Sequence, residues 1–365
     1  MQNVRSSHLK RLGFVPTLST FTGAALKPHH MAWSLVSPQE VFFSGPYLSG
    51  RHRLWNREVA SGEQHNLVLD QAYEFVPVSG FSRIAEYAVV GSGVSSFSRE
   101  SRGLFSEVAR TKRPSSWLGR DMEVRPSGGG SYKITVYREF FEDEVGGKVL
   151  SEWGYSPFPT PGANLSVAER FLDVSGNPIA ITVEPDQRLR MVYTYEVFVS
   201  PPRASDFSLP LNEAEGVSGV YSFVLLKEDA PSHLPLHVLD FLVSGSTRED
   251  LGEFRLYLYA HRIPVPPAPA TLLPVRDFLR GQPSPVASKP VSLLEHIPGE
   301  KVRKTAPVSF NPEDFSLPRD ASRVSIYSFL YGFPEGGLLF SIPSGEGIVV
   351  DGTHRLTFGP LSVSW

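Results

Sequence analysis

The clearest indication of the fold is the stretch Leu189-Arg190-Met191-Val192-Tyr193-Thr194-Tyr195-Glu196-Val197-Phe198-Val199. One set of alternate positions is apolar or aromatic: Leu189, Met191, Tyr193, Tyr195, Val197 and Val199. The opposite set contains Arg190, Thr194 and Glu196, preceded by Arg188. Successive side chains of a β-strand point to opposite faces, so this alternation predicts a half-buried strand rather than a helix.

Shorter stretches repeat this pattern between turn signals. Residues 133–141 alternate after Gly128-Gly129-Gly130, which we interpret as a hairpin tip, and residues 179–183 follow the turn sequence SGNP at 175–178. Further strands are predicted at 220–226, 238–243, 254–260, 325–330, 338–342, 348–350 and 356–365, the last ending in a packed Trp365. Short strands separated by turns favour antiparallel sandwiches.

We therefore predict an all-β fold of tandem antiparallel β-sandwich-like units. A β-sandwich domain is expected at 46–200, a second β unit at 201–262 and a C-terminal β unit at 313–365. Residues 1–45 are interpreted as an extended N-terminal arm, because they mix polar, proline and aromatic residues without periodicity. A neighbouring subunit could order this arm, or it could be a packed strand of the same domain.

A Pro-rich connector is predicted at 263–312, which contains 11 prolines. Proline cannot donate a hydrogen bond to a sheet, so the segment is expected to be extended. Short helical turns are predicted within it at 275–280 and 292–295.

Two short sequences occur twice in the same order. DFSLP at 206–210 recurs at 314–318, and YSF at 221–223 recurs at 327–329. Duplicated β units and chance similarity between strands are both open interpretations.

Composition excludes several classes of protein. Among 365 residues, 41% are hydrophobic and 20% are charged, which is enough apolar material for a folded chain. The net charge is −3 and no long basic run occurs, so nucleic-acid binding is not expected. The densest basic cluster, Arg110-Thr111-Lys112-Arg113, is interpreted as a solvated strand end.

The chain contains no cysteine, which rules out disulfides and thiolate metal sites. No apolar run reaches the ~18–20 residues that a membrane-spanning helix needs, so membrane insertion is not expected. The residues after Met1 lack the apolar core of a secretory signal.

The sequence offers no catalytic motif. G-x-S-x-G, G-x-x-x-x-G-K-[ST] and H-E-x-x-H are all missing, so we predict that the protein is not an enzyme and has no catalytic, cofactor-binding or metal-binding residues. His233 and His237 have the spacing of a metal pair on a helix, but Pro235 between them disfavours that helix. Packed or solvated histidines are the preferred interpretation.

Acidic residues cluster at Glu139, Glu142, Asp143 and Glu144. We interpret the cluster as a solvated strand end, because the residue order of a calcium loop is missing. The same carboxylates would serve a polysaccharide-degrading enzyme only if two of them faced each other across a cleft.

Five tryptophans are present: Trp33, Trp55, Trp117, Trp153 and Trp365. Burial in the core is expected for most of them, since an exposed tryptophan usually binds a sugar or a protein partner.

Seven stretches follow one another in an order typical of one protein family. They are NLVLD at 66–70, YAVVGSG at 87–93, LFSEVART at 104–111, YREF at 137–140, SEWGYS at 151–156, DVSGNPIAITV at 173–183 and LRMVYTY at 189–195. In this order they resemble a family of structural or tail-fibre proteins from the virions of tailed bacteriophages and prophages, over about residues 66–200. We refer to these stretches as the motif segments.

The resemblance implies a tail, baseplate or fibre component that acts by subunit assembly. Its expected partners are other phage virion proteins and copies of itself, in a trimer or hexameric ring, and its expected location is the virion, assembled in the bacterial cytoplasm. The family brings no catalytic residues and no cofactor. A module that binds a host receptor or glycan is the alternative, and a polysaccharide-degrading tail enzyme is a further one.

Overall fold

A computed structural model describes residues 11–14, 21–22, 24–43, 50–116, 118–128, 131–199, 205–210, 216–227, 230–246, 249–265, 284–316, 323–351 and 355–365. Strands predominate in this part of the chain, with three short α-helices and two 3-10 turns, at Glu249–Leu251 and Pro312–Asp314. The predicted all-β fold is confirmed.

The strands up to residue 199 are β1 (Arg11–Phe14), β2 (Phe21–Thr22), β3 (Ala24–Phe43), β4 (Gly50–Gln64), β5 (Leu67–Val68), β6 (Tyr87–Gly91), β7 (Glu107–Thr111), β8 (Met122–Gly128), β9 (Ser131–Phe140), β10 (Val149–Leu150), β11 (Glu152–Ser156), β12 (Val167–Arg170), β13 (Ile181–Thr182) and β14 (Arg188–Val199). The helices here are α1 (Ala72–Ser79) and α2 (Glu142–Val145).

The later strands are β15 (Ser205–Pro210), β16 (Gly216–Leu225), β17 (Arg255–Tyr259), β18 (Ala287–Pro290), β19 (Val302–Lys304), β20 (Val308–Phe310), β21 (Arg323–Ile326), β22 (Ser328–Phe333), β23 (Gly336–Ser341), β24 (Ile348–Asp351), β25 (Arg355–Phe358) and β26 (Ser362–Ser364). Helix α3 (Leu234–Ser244) lies between β16 and β17.

The chain divides into two units. The first unit comprises residues 25–127 and 131–198, and the second comprises residues 1–24, 128–130 and 199–365. Strands from the predicted second β unit and from the predicted C-terminal β unit lie side by side in one sheet of the second unit.

The first unit is a β-sandwich. One sheet has the strand order β5-β12-β11-β6-β7 and the other β4-β3-β14-β9-β8, with a β10-β13 ribbon beside them. The rings of Tyr155 on β11 and Tyr193 on β14 stack at 4.7 Å between centroids, and Trp153 lies 6.4 Å from Tyr193. The core between the sheets is therefore aromatic, and burial raises the pKa of both tyrosines.

Strand β14 has the alternation that its sequence predicts, but its polar face is also buried. Arg190, Thr194 and Glu196 are each less than 10% exposed. Each bonds to β9: Arg190 to Glu139 at 3.3 Å, Thr194 to Thr135 at 3.2 Å, and Glu196 to Ser131 at 2.6 Å. Polar side chains that pair across strands shield one another from water, so the prediction of a half-buried strand is wrong.

The turn predicted at 175–178 is present. Asp173 accepts hydrogen bonds from the backbone N–H groups of Ser175 and Asn177, both at 2.8 Å, and Gly176 has a φ of 83°. Only Ile181–Thr182 of the following stretch forms a strand. Strands β8 and β9 are sheet neighbours, as a hairpin requires, while Gly129 and Gly130 lie outside the described residues.

The second unit is built on a six-stranded antiparallel sheet of order β15-β16-β23-β22-β17-β18. Smaller sheets of order β1-β25-β20 and β19-β26-β2 and the ribbon β21-β24 belong to the same unit. Phe329 on β22 stacks on Phe340 at 4.7 Å and lies 5.1 Å from Phe358 on β25. These rings join the large sheet to a smaller one in a common core.

The strand predicted at 238–243 is wrong, because these residues lie in α3. This short run is apolar apart from Asp240, and such a run does not distinguish a buried helix from a buried strand. Pro235 occupies the first turn of α3, where backbone N–H groups have no acceptor within the helix, so its missing N–H costs no hydrogen bond. Gly245 ends the helix in a left-handed conformation. Pro235 therefore does not exclude the helix that carries His237.

The described residues of the predicted arm are strands: β1 and β2 in the second unit, and β3 in the first unit's sheet. The alternative of a packed strand therefore describes β3. In the predicted connector, residues 266–283 lie outside the described part, and β18, β19 and β20 pair with β17, β26 and β25. Pro290 ends the edge strand β18, a position that proline tolerates.

The predicted helical turn at 292–295 is wrong, since Leu293 bridges to Thr305 in an extended conformation, and the one at 275–280 lies outside the described residues. The first DFSLP copy forms β15, whereas Asp314 of the second lies in a 3-10 turn. Trp365 follows β26 and contacts the ring of His296.

Candidate functional site

All seven motif segments lie in the first unit, where they contribute to both sheets of the sandwich. Three of them meet at one side chain. Glu152 begins β11, Gly93 follows β6, and Phe105 and Ser106 precede β7. In the sheet, β6 is the neighbour of both β11 and β7, so the three segments converge at one end of these strands.

The carboxylate of Glu152 is fully buried and accepts three backbone hydrogen bonds. Gly93 N–H donates to Oε1 at 2.9 Å, Ser106 N–H to Oε1 at 2.7 Å and Phe105 N–H to Oε2 at 3.1 Å. Charge-assisted hydrogen bonds of this kind are stronger than neutral ones, and they replace the water that burial removes. Glu152 thus clamps the two ends of residues 92–106, which we name the clamped loop.

Two glycines make room for this carboxylate. A Cβ atom on Gly91 would lie 2.5 Å from Oε1 of Glu152, and one on Gly93 would lie 2.6 Å from the same oxygen. Real Cβ atoms do not approach an oxygen so closely, so the glycines of the YAVVGSG segment serve close packing.

Side chains from neighbouring elements fix the clamped loop further. Arg102 donates to Gln71 at 3.0 Å and pairs with Glu74 at 2.9 Å, and Gln71 returns a bond to the Arg102 carbonyl at 2.6 Å. The guanidinium of Arg170 donates to the carbonyl oxygen of Val94. A loop held by this many side-chain bonds is preorganised, so binding a partner costs little ordering entropy.

The clamped loop presents apolar side chains to solvent. Val94 is 75% exposed and Phe105 is 53% exposed. The half-buried ring of Phe97 lies 5.1 Å from Phe105 and packs against a buried cluster that includes Leu69. We name Val94, Phe97 and Phe105 the aromatic patch, and it is the candidate functional site because exposed, rigid aromatic groups are typical contact residues of protein interfaces.

The basic cluster at 110–113 differs from its prediction. The side chain of Arg110 is 4% exposed, pairs with Glu107 at 2.9 Å and donates to Asn164 and to the carbonyl of Phe158. Only Lys112 and Arg113 are exposed and fit the predicted solvated strand end.

The acidic cluster is also not the solvated strand end that its sequence predicts. Glu139 is fully buried between Arg190, at 3.3 Å, and the N–H of Ser116, at 2.8 Å. Glu142 begins α2 and pairs with Arg188 at 2.6 Å. Strand β14 and the turn that begins at Ser115 supply these partners, which the local sequence does not reveal.

His233 and His237 contact each other with ring centroids 4.9 Å apart, and His237 is buried in α3. In the part of the chain described above, no group of three or more His, Asp and Glu side chains is arranged to hold a metal ion. The described helices include none that combines the length and the apolar character of a membrane span.

Trp33 and Trp153 are core residues, as expected for most tryptophans. Trp33 packs over Gly62 on the neighbouring strand and edge-on against Phe171. Trp117 lies outside the described residues, and Trp55 lies on β4.

Each unit contains a surface groove. The first unit's groove, of about 340 Å³, is lined by β3, β4 and β14 and carries Glu58, Glu63 and Arg190. The second unit's groove, of about 440 Å³, lies beside the glycine-rich turn at 344–347. Arg262 holds this turn through the carbonyl oxygens of Ile342 and Gly345.

Sequence reasoning identified no site residue, and it missed the role of Glu152. The signal that could have found it is the SEWGYS segment, in which a lone glutamate precedes four residues of a fully buried strand. Comparison with known proteins finds no match to this chain among protein-family models, curated proteins or solved structures.

Proposed function

We propose that this protein is a bacteriophage virion structural protein, associated with the tail, baseplate or fibre, which acts by assembling with other virion proteins and with copies of itself. The observation that carries the proposal is the convergence of three motif segments on the buried Glu152 carboxylate. The residues behind the family resemblance thereby build and hold an exposed contact loop.

Three further charged residues of the motif segments support the same role. Arg138 donates to the carbonyl oxygens of Glu86 at 2.7 Å and Asp121 at 3.0 Å, and Glu139 pairs with Arg190. Asp173 closes its turn through Asn177. Side chains committed to internal bonds hold a surface in one shape, which repeated assembly of identical subunits requires.

The test is the presence of the chain in phage particles. Particles are purified from bacteria that carry this gene, after prophage induction, and their proteins are identified by mass spectrometry. We expect the chain at a stoichiometry of several copies per particle. Purified, infectious particles that lack the chain would contradict the proposal.

The aromatic patch supplies a second measurement. A Val94→Ser/Phe105→Ser variant should fold normally but enter particles at least about tenfold less, because truncating a hot-spot residue of an interface costs about 2 kcal/mol or more. Val78→Ser is the matched control, since Val78 is 63% exposed and lies on α1, outside the motif segments. Equal incorporation of both variants would show that the aromatic patch does not contact other virion proteins.

One observation favours the alternative, a receptor- or glycan-binding tail-fibre module. The groove between β3, β4 and β14 is lined by the hydroxyl-bearing Ser34 and Ser61 together with Glu58 and Glu63. Hydroxyl and carboxylate groups are hydrogen-bonding partners for sugars. Binding of the isolated protein to a glycan array, abolished by filling the groove with Ser34→Trp, would favour this alternative.

A further inference from the structure

Strand β4 forms one edge of the first unit's β4-β3-β14-β9-β8 sheet. It pairs with β3 on one side, and no described strand pairs with its other side. Its 15 residues span about 50 Å at the usual rise per residue. Residues 57–61, which begin at its midpoint, are all exposed. Backbone N–H and C=O groups along such an edge are a template for another strand.

Charge is distributed unequally along β4. Arg51 and Arg53 lie in its first half, Arg57 lies at its midpoint, and Glu58 and Glu63 lie in its second half. Arg57 and Glu58 are exposed, and neither has an ion-pair partner in the part of the chain that is described. A strand that is basic in one half and acidic in the other is complementary to itself when two copies run antiparallel.

We infer that two copies of this chain associate by antiparallel pairing of their β4 edges, which joins their sheets into one continuous sheet across a twofold axis. The basic half of each strand then lies beside the acidic half of its partner. Main-chain hydrogen bonds supply the affinity of strand addition, and the charges select the partner and the direction. Dimerisation through β4 would be one step of the proposed assembly, and only its biological role rests on that proposed function.

Two features of β4 usually protect an edge from pairing. Its ladder with β3 shifts register between Leu35 and Val36 and again between Ser37 and Pro38, and charged residues line it. Mixed charges would repel any strand with an unrelated pattern, because like charges opposite each other destabilise a sheet. The separated charges of β4 place opposite charges beside each other only when two identical strands pair antiparallel. They therefore favour self-association over pairing with other strands.

Two variants of the full-length chain test the inference. Arg51→Glu/Arg53→Glu/Arg57→Glu makes the β4 charges uniformly negative, and Glu58→Arg/Glu63→Arg makes them uniformly positive. Sedimentation equilibrium of the parent chain should give about twice the mass of one chain. Each variant alone should remain monomeric, and an equimolar mixture of the two should restore the dimer. Because Arg57, Glu58 and Glu63 are exposed, the dimer should also weaken at about 1 M salt, where the Debye length is about 3 Å.

Lys148→Glu, an exposed charge reversal between α2 and β10, is the matched control and should dimerise like the parent. Hydrogen exchange gives an independent readout: the β4 amides should become protected as parent concentration rises, whereas those of the clamped loop should not change. A parent chain that remains monomeric, or a mixture that fails to associate while both variants keep the parent's circular dichroism, would overturn the inference. Neither result affects particle incorporation, which the preceding experiments measure separately.

Discussion

Gly93 and Glu152, 59 residues apart in sequence, are joined by a 2.9 Å hydrogen bond from the Gly93 N–H to the buried Glu152 carboxylate. The bond links the end of β6 to the start of β11, and two further N–H groups complete the coordination of the carboxylate. The exposed aromatic patch therefore depends on a side chain that solvent does not reach.

Replacing this carboxylate should loosen the clamped loop. Glu152→Gln keeps the shape but removes the charge and directs an amide N–H₂ at N–H donors, so we expect a loss of about 2–4 kcal/mol in the free energy of unfolding. Urea denaturation measures the loss, and hydrogen exchange should show faster exchange at Phe105 and Ser106. Glu123→Gln, at an ion pair in which Arg125 is 67% exposed and Glu123 is 25% exposed, should change stability by less than about 1 kcal/mol. Equal effects of both substitutions would argue against the clamp.

Gly93→Ala should damage the same site through space rather than charge. The added methyl would lie 2.6 Å from both Oε1 of Glu152 and the Cβ of Phe105, which forces the loop and the carboxylate apart. We expect a cost of about 1–3 kcal/mol, as for other overpacked sites. Ser95→Ala, at an exposed position of the same loop, should be nearly neutral. Thermal unfolding of the two variants side by side distinguishes steric strain from a general sensitivity of the loop.

The buried Glu139–Arg190 pair leads us to expect that a double variant is more stable than a single one. Both side chains are at most 10% exposed, so Glu139→Leu alone leaves a buried guanidinium without its carboxylate and should cost about 3–5 kcal/mol. The double variant Glu139→Leu/Arg190→Met should be more stable than that single variant, because no buried charge is left uncompensated. A double-mutant cycle by chemical denaturation measures the coupling, and purely additive losses would show that the two side chains do not interact.

Asp173 predicts a pH dependence. Hydrogen bonds from the backbone N–H and the side-chain amide of Asn177 hold the pKa of Asp173 below its ordinary value. A lowered pKa means that the folded state binds the proton less tightly than the unfolded state. The resulting stabilisation is therefore present above the ordinary aspartate pKa and is lost as pH falls through the lowered value.

Asp173→Asn should remove this contribution. The difference in unfolding free energy between parent and variant should be larger at pH 7 than at pH 2. An NMR titration of the parent should give the Asp173 carboxyl a lower pKa than the other exposed aspartates have. A difference in unfolding free energy that is independent of pH would show that the ionised Asp173 carboxylate does not stabilise the turn.

Local sequence was sufficient to predict the strands that alternate. Leu189, Met191 and Tyr193 specify the inward face of β14 by their spacing alone, and Gly176 marks a turn that requires a positive φ. These features were predictable because the pleat of a strand and the conformational freedom of glycine are properties of neighbouring residues. The all-β class follows from them.

The tertiary structure alone decided the features that depend on distant partners. Residues 238–243 are apolar apart from Asp240, so only their burial on all sides of α3 distinguishes helix from strand. Glu139 and Glu152 look like ordinary surface acids in sequence, yet their donors come from Arg190, 51 residues away, and from Gly93, Phe105 and Ser106, 46 to 59 residues away. A buried carboxylate is stable only once folding has brought those donors to it, and no local pattern encodes that meeting.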